Sequence, residues 1–388
     1  MFGESSVRST YSNGKVTSDG SARTWKIFVV GVCAVALAHC NTTDRTRRAY
    51  LRANAATLAK PARPVIVIAG FGVTRLVDPL TGRHVWGTPR AVWRTHYEDD
   101  LDLDANDRLV PAGWVGSRGP INTGWQLAIA LRKFGGYTKD VDVFPFYYDW
   151  RRSARDNAHQ LDNLIERVRG SGRVDLVTHS AGAIVALAAE SEHVEKIVMI
   201  APVQRGSVEA FRVFVRPERF IRRRFTPEMV ATWPFVFELL PEDGRVFVDE
   251  QGKLLDDNLW DPETWQRRAG FSATSHAGGL KPALRHARAF RNGLHTRKPR
   301  ARVTVIAGDC VPTAIRVLAR RDGTYAFYPS DLREHEKHLA PILFEPGDGT
   351  APVSSAKAGG EAMLFCSGHQ GLAADPSVHR AMIRALRE

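Results

Sequence analysis

Val174-Asp-Leu-Val-Thr-His-Ser-Ala-Gly-Ala-Ile-Val-Ala-Leu187 runs an apolar strand into a serine and out again into an alanine-rich helix. A serine hydroxyl is a weak nucleophile at its free pKa. A tight strand-to-helix turn can lift its Oγ clear of the backbone and toward a base. Ser180 occupies that corner. Such a turn presses the positions two before and two after the serine against neighbouring backbone, so both are expected to be small. Gly182 meets the expectation; Thr178, which is β-branched, departs from it. Taken alone, the stretch reads equally well as an ordinary strand, turn and helix with an incidental serine.

Upstream, Leu161, Leu164, Ile165 and Val168 recur at i, i+3, i+4 and i+7 and predict an amphipathic helix that Gly170 ends. Pro64-Val-Ile-Val-Ile-Ala69 predicts a short, wholly apolar strand running into Gly70-Phe71-Gly72, and Val141–Tyr147 a second strand. Further strands are expected at Lys196–Ile200, Val303–Ala307 and Ala362–Phe365. Apolar strands alternating with helices predict an α/β fold with a mostly parallel sheet covered on both faces. Residues 204 to 300, rich in Arg, Trp, Phe and Pro, break the alternation. We expect an inserted cap subdomain there, dividing a core into 63–203 and 301–388.

An activated serine needs a base oriented by a carboxylate, and in one large group of folds these follow in the order Ser, Asp or Glu, His. Glu345-Pro-Gly-Asp-Gly-Thr350 places Asp348 between two glycines, and Ser367-Gly-His-Gln-Gly371 follows the last apolar strand. Ser180, Asp348 and His369 are therefore the expected catalytic set. Asp309, after the strand at Val303, competes for the acid; the more specific loop favours Asp348. An oxyanion needs backbone N–H donors. Ala181, after the serine, is expected to supply one and Phe71 the other.

These stretches, together with Tyr148-Asp-Trp-Arg151, Ala201-Pro202 and Val311-Pro-Thr313, resemble the lecithin:cholesterol acyltransferase family, which includes phospholipid:diacylglycerol acyltransferases and lysosomal phospholipase A2. The resemblance spans residues 63 to 375 and identifies a distant member of bacterial type. It implies an α/β-hydrolase fold and a serine nucleophile that takes an acyl chain from a lipid ester and passes it to an alcohol or to water. Ser180, Asp348 and His369 carry over as the triad, and Phe71 and Ala181 as oxyanion donors. Thr178 stands for the family's usual glycine, Ala69 for its proline and Ala351 for its valine, so the substrate does not carry over. In Tyr148-Asp-Trp-Arg151 the resemblance implies a brace for the site; the simpler reading is a surface Asp149–Arg151 pair beside packed aromatics.

The 388 residues, 44% hydrophobic and 9% aromatic, suffice for a large core and an insertion. Net charge is +12. Arg212, Arg216, Arg219, Arg222, Arg223 and Arg224 cluster among aromatics in the expected cap, which suits anionic lipid headgroups and equally suits a solvated surface. No helix-turn-helix, RNP or zinc-finger pattern accompanies the charge, so nucleic acid is not an expected partner. Arg23 and Lys26 precede the apolar run Ile27–Ala38, which predicts a signal peptide over 1–38, a linker over 39–62 and an exported, secreted or periplasmic protein. Leu37-Ala-His-Cys40 approaches a lipid-anchoring box at Cys40, but His39 is large for it, favouring release; a retained N-terminal anchor is the alternative. Cys310 and Cys366 follow strands and could pair at neighbouring strand ends, or remain as buried thiols. No cofactor and no metal are expected. His335-Glu-Lys-His338 spaces its histidines at i, i+3, and Asp102-Leu-Asp-Ala-Asn106 meets Asp107 where a calcium loop needs glycine. The opposing functional readings are a non-catalytic scaffold that retains the fold, and an esterase for small soluble esters.

Overall fold

Val65–Ile68 buries all four side chains because the two faces of its sheet are both covered. Val65 and Val67 pack with Leu127, Leu131, Val378 and Met382, whereas Ile66 and Ile68 pack with Leu161, Ile165 and Ile184. A strand so placed reads as an unbroken apolar run, since neither side of the pleat meets water. The computed structural model describes residues 60–88, 91, 98–116, 122–216, 219–220, 223–270, 279–296 and 299–388, with short helical pieces at 48–49 and 52–53. The chain divides into Met1–Tyr50 and Leu51–Glu388, and the architecture below is that of the second unit. The expected signal peptide, Cys40 and most of the 39–62 linker lie outside the described residues. No helix among those described is long and apolar enough to cross a membrane.

The central sheet has six strands: β1 (Val65–Ile68), β2 (Val143–Phe146), β3 (Val174–His179), β4 (Val194–Ile200), β5 (Arg302–Gly308) and β6 (Met363–Phe365). Their order is β6-β5-β4-β3-β1-β2, and every neighbouring pair is parallel. Helices α1 (Thr123–Phe134), α2 (Ala154–Val168) and α3 (Gly182–Ala188) connect the first four strands. The α/β-hydrolase fold expected from the sequence is present. Helix α2 begins earlier than its apolar periodicity indicates, because Ser153 caps it by accepting a hydrogen bond from the Asp156 N–H.

After β1 in the chain, Thr74–Val77, His84–Trp86 and Val110–Trp114 form a small antiparallel sheet that the sequence did not suggest. Between β4 and β5 the chain leaves the central sheet through α4 (Glu209–Val215), α5 (Pro234–Glu238) and α6 (Leu280–Thr296). This excursion does not close on itself: Phe247–Val248 pair with Val317–Leu318, which come after β5. Cys310 and Cys366 are joined by a disulfide, their Cα atoms 5.0 Å apart beyond the paired strands β5 and β6.

Candidate active site

Ser180 leaves β3 with φ of 56°, in the left-handed region that non-glycine residues seldom adopt. Its N–H is held by the Ile200 carbonyl at 3.0 Å. Strain of this kind costs on the order of 1–3 kcal/mol and persists where surrounding structure over-determines it. The crowding that the turn demands is met at two glycines. A Cβ on Gly182 would lie 2.6 Å from the Ile68 oxygen, and one on Gly70 would lie 2.9 Å from the Ser180 Cβ. Position 178 therefore need not be small, because the approach to the serine is made by Gly70 from the end of β1. Thr178 sits wholly buried, in register between Ile68 and Met199.

Asp348 follows the strand Phe344–Gly347, which pairs antiparallel with Val311–Ala314. The Gly349 N–H donates to Thr313 Oγ1 at 2.8 Å, so the Val311-Pro-Thr313 motif braces the loop. Asp348 Oδ1 accepts from the N–H groups of Ala351 (2.7 Å) and Thr350 (2.9 Å). Its Oδ2 lies 2.8 Å from His369 Nδ1, and His369 Nε2 lies 2.8 Å from Ser180 Oγ. An ionised carboxylate can only accept, so Nδ1 carries the hydrogen and Nε2 offers its lone pair to the serine hydroxyl. Burial opposes the Asp348 charge, yet the His369 imidazole and the Ala351 and Thr350 N–H groups together hold the carboxyl below its usual value. Asp309 instead anchors by its N–H to the Phe365 oxygen, and no hydrogen bond joins it to His369 among the described residues.

Phe71 and Ala181 both line the cavity at Ser180, and neither N–H is engaged in a hydrogen bond among the described residues. Tyr148 steadies this turn through its hydroxyl, which donates to the Ala69 oxygen at 2.9 Å. The Asp149–Arg151 pair is buried, not on the surface as its simpler reading had it. Arg151 grips Asp149 at 2.8 and 3.0 Å and donates to the Asn106 oxygen at 2.9 Å, fastening the segment that carries Trp150.

The cavity measures about 320 Å³. One wall is aromatic, with Phe71 against Trp150 at 4.9 Å between ring centroids and Trp150 against Trp233 at 5.0 Å. The indole N–H groups of Trp86, Trp150 and Trp233 donate to the carbonyls of Gly72, Thr74 and Leu101. Their polar ends are thus taken up by backbone, which leaves hydrocarbon to face the cavity. Larger grooves of about 530 and 580 Å³ touch neither Ser180 nor His369.

The arginine cluster does not behave as one surface. Arg212 is buried and lines this cavity, its Nε bonded to Glu209 at 2.6 Å, because an apolar wall admits a guanidinium only with a partner. Arg216 pairs with Asp331. Arg222 and the side chains of Arg219, Arg223 and Arg224 lie outside the described residues. Trp86 was missed in the sequence, although the Asp78-Pro-Leu-Thr-Gly82 turn beside it is a hairpin signal.

The profile of the alpha/beta hydrolase family matches residues 86–353, well over half of the chain and inclusive of Ser180 and Asp348. The chain belongs to the alpha/beta hydrolase family. No curated protein matches it by sequence. Among solved structures, a chain of the Tle4-Tli4 complex superposes with a TM-score of 0.58 at 14% identity, covering 84% of this chain and 99% of that one. The mature lipase BlEst2 of Bacillus licheniformis superposes with a TM-score of 0.39 at 12% identity, over 84% of this chain and 92% of its own. The Staphylococcus hyicus lipase gives 0.37 at 11%, over 85% and 97%. At 14% identity the first of these likenesses speaks to the fold alone.

Proposed function

We propose that this alpha/beta hydrolase is a serine-dependent lipid acylhydrolase or O-acyltransferase working through a covalent acyl-enzyme. The observation that carries the reading is the unbroken chain Ser180 Oγ, His369 Nε2, His369 Nδ1, Asp348 Oδ2, with 2.8 Å at both hydrogen bonds. His369 takes the hydroxyl proton as Ser180 attacks the ester carbonyl, and Asp348 stabilises the imidazolium that forms. The Phe71 and Ala181 N–H groups receive the oxyanion. Collapse of the tetrahedral intermediate breaks the ester C–O bond, with the proton passing from His369 to the leaving alkoxide. Water or an alcohol, deprotonated by the same imidazole, then attacks the acyl-serine and restores Ser180.

The aromatic wall supports an apolar acyl group, and the resemblance to lecithin:cholesterol acyltransferases supports a lipid ester as its source. The excursion after β4 acts as the cap, since Val213, Val230, Trp233 and Val236 come from it to line the cavity. Export, cleavage of the 1–38 segment and contact with an anionic membrane belong to the same proposal. A fluorophosphonate probe tests the chemistry. The wild-type protein should label at Ser180, and Ser180→Ala should lose labelling and about 10⁴- to 10⁶-fold in kcat. A wild-type protein that never labels, or a Ser180→Ala variant that still turns over ester, overturns the reading.

A further inference from the structure

His179, the residue before the serine, takes no part in the chemistry above, yet its imidazole is wholly buried and 5.0 Å from that of His369, centroid to centroid. Its Nε2 stands 2.9 Å from the backbone oxygen of His369. A carbonyl only accepts, so Nε2 carries the hydrogen and Nδ1 keeps a lone pair, which meets no partner. Burial above all, then the neighbouring His369, pushes the His179 pKa down to about 3, so the ring stays neutral and remains a single fixed donor at ordinary pH.

His369 opens the helix α7 (His369–Leu372), a single turn whose cap residue Gly368 offers no side chain. A helix this short cannot hold its own first residue, because nucleation fixes several dihedrals for one hydrogen bond. The His369 backbone is held instead from outside and at both ends. Its N–H donates to the backbone carbonyl of Asp348 at 2.8 Å, and its C=O receives His179 Nε2. The bond joins residues 190 positions apart, tying the end of the serine's strand to the loop of the base.

We propose that His179 is a positioning residue, whose Nε2–H pins the His369 carbonyl so that one imidazole reaches Ser180 Oγ and Asp348 together. The proposal rests on the triad reading, but its structural half can be measured without turnover. In His179→Leu the His369 amide should exchange with solvent faster. Fluorophosphonate labelling and kcat should fall about 10²-fold, as expected for a displacement near 1 Å, while KM stays within about twofold. His179→Gln, whose amide Nε2 reaches the same carbonyl, should recover most of both. If His179→Leu does not fold, His179→Asn, too short to reach, takes its place. Unchanged exchange in Leu or Asn, or equal losses in those and in Gln, overturns the proposal. A wild-type protein that fails to label defeats the triad reading, and amide exchange in the same variants still decides what His179 holds.

Discussion

Asp348 and Asp309 both follow strands, and only a distance separates their roles. An imidazole is oriented by the carboxylate that accepts its Nδ1 hydrogen, and at 2.8 Å that carboxylate is Asp348. Asp348→Asn, which presents an amide to Nδ1 and disfavours the working tautomer, should lower kcat by about 10⁴-fold. Asp309→Asn should leave kcat/KM within a few-fold of wild type. Steady-state hydrolysis of one ester by both variants checks the ranking, and the reverse ranking would transfer the acid's role to Asp309. The glycines around Asp348 made it the better sequence candidate, because a carboxylate that must bend back toward a histidine needs a tight loop. Gly349, with φ of 93°, provides that bend.

One buried carboxyl group joins α5 to α2. Glu238 Oε2 accepts from the Ala154 N–H at 2.7 Å, at the first turn of α2, and so ties the helix after Trp233 to the central layer. Burial is the dominant influence and pushes the Glu238 pKa up to about 8, against the pull of the Ala154 N–H. The folded value thus exceeds the unfolded value of 4.5, and between the two the folded state holds a proton that the unfolded chain has lost. This contribution is fully present below about pH 4.5 and is lost as pH rises through about 8, with a limiting slope near 1.4 kcal/mol per pH unit. Glu238→Gln removes the titration, so its stability should vary less across that window than that of the wild type. Urea midpoints at several pH values compare the two, and parallel profiles would show that the group does not titrate there. Nothing local in Pro234–Glu238 announces this contact, for its partner lies 84 residues away.

At the scale of the whole molecule, the Cys310–Cys366 bridge closes 56 residues that include Asp348 and the strand presenting it. On the chain-entropy account a loop of that length stabilises by about 4 kcal/mol. Cys310→Ser should therefore lower the free energy of unfolding by an amount of that order, read as a lower urea midpoint. It should also slow fluorophosphonate labelling, because the bridge joins the chain before the Asp348 loop to the strand leading to His369. A variant as stable as wild type in oxidising buffer would show that the surrounding sheet, not the bridge, secures this half.

Local pattern was enough for the layered fold: unbroken apolar strands, one amphipathic helix, and a serine at the corner between them. Periodicity is written by each element's own burial, and Val65–Ile68 or Leu161–Val168 carry it wherever their partners lie. Ser180, Asp348 and His369 could be nominated in that order for the same reason, since each follows a strand in a recognisable turn, and the fold brings the three side chains within hydrogen-bond distance. What tertiary structure alone decided were pairings across the sheet. Gly70 relieves the crowding expected at Thr178, and Arg212, read in the sequence as part of a basic surface for lipid headgroups or solvent, lines the cavity wall instead. Trp86 closes that wall from a hairpin, and His179 reaches across to His369. Each depends on which strands become neighbours, a matter settled by burial of the sheet's two faces together, and no window of adjacent residues contains it.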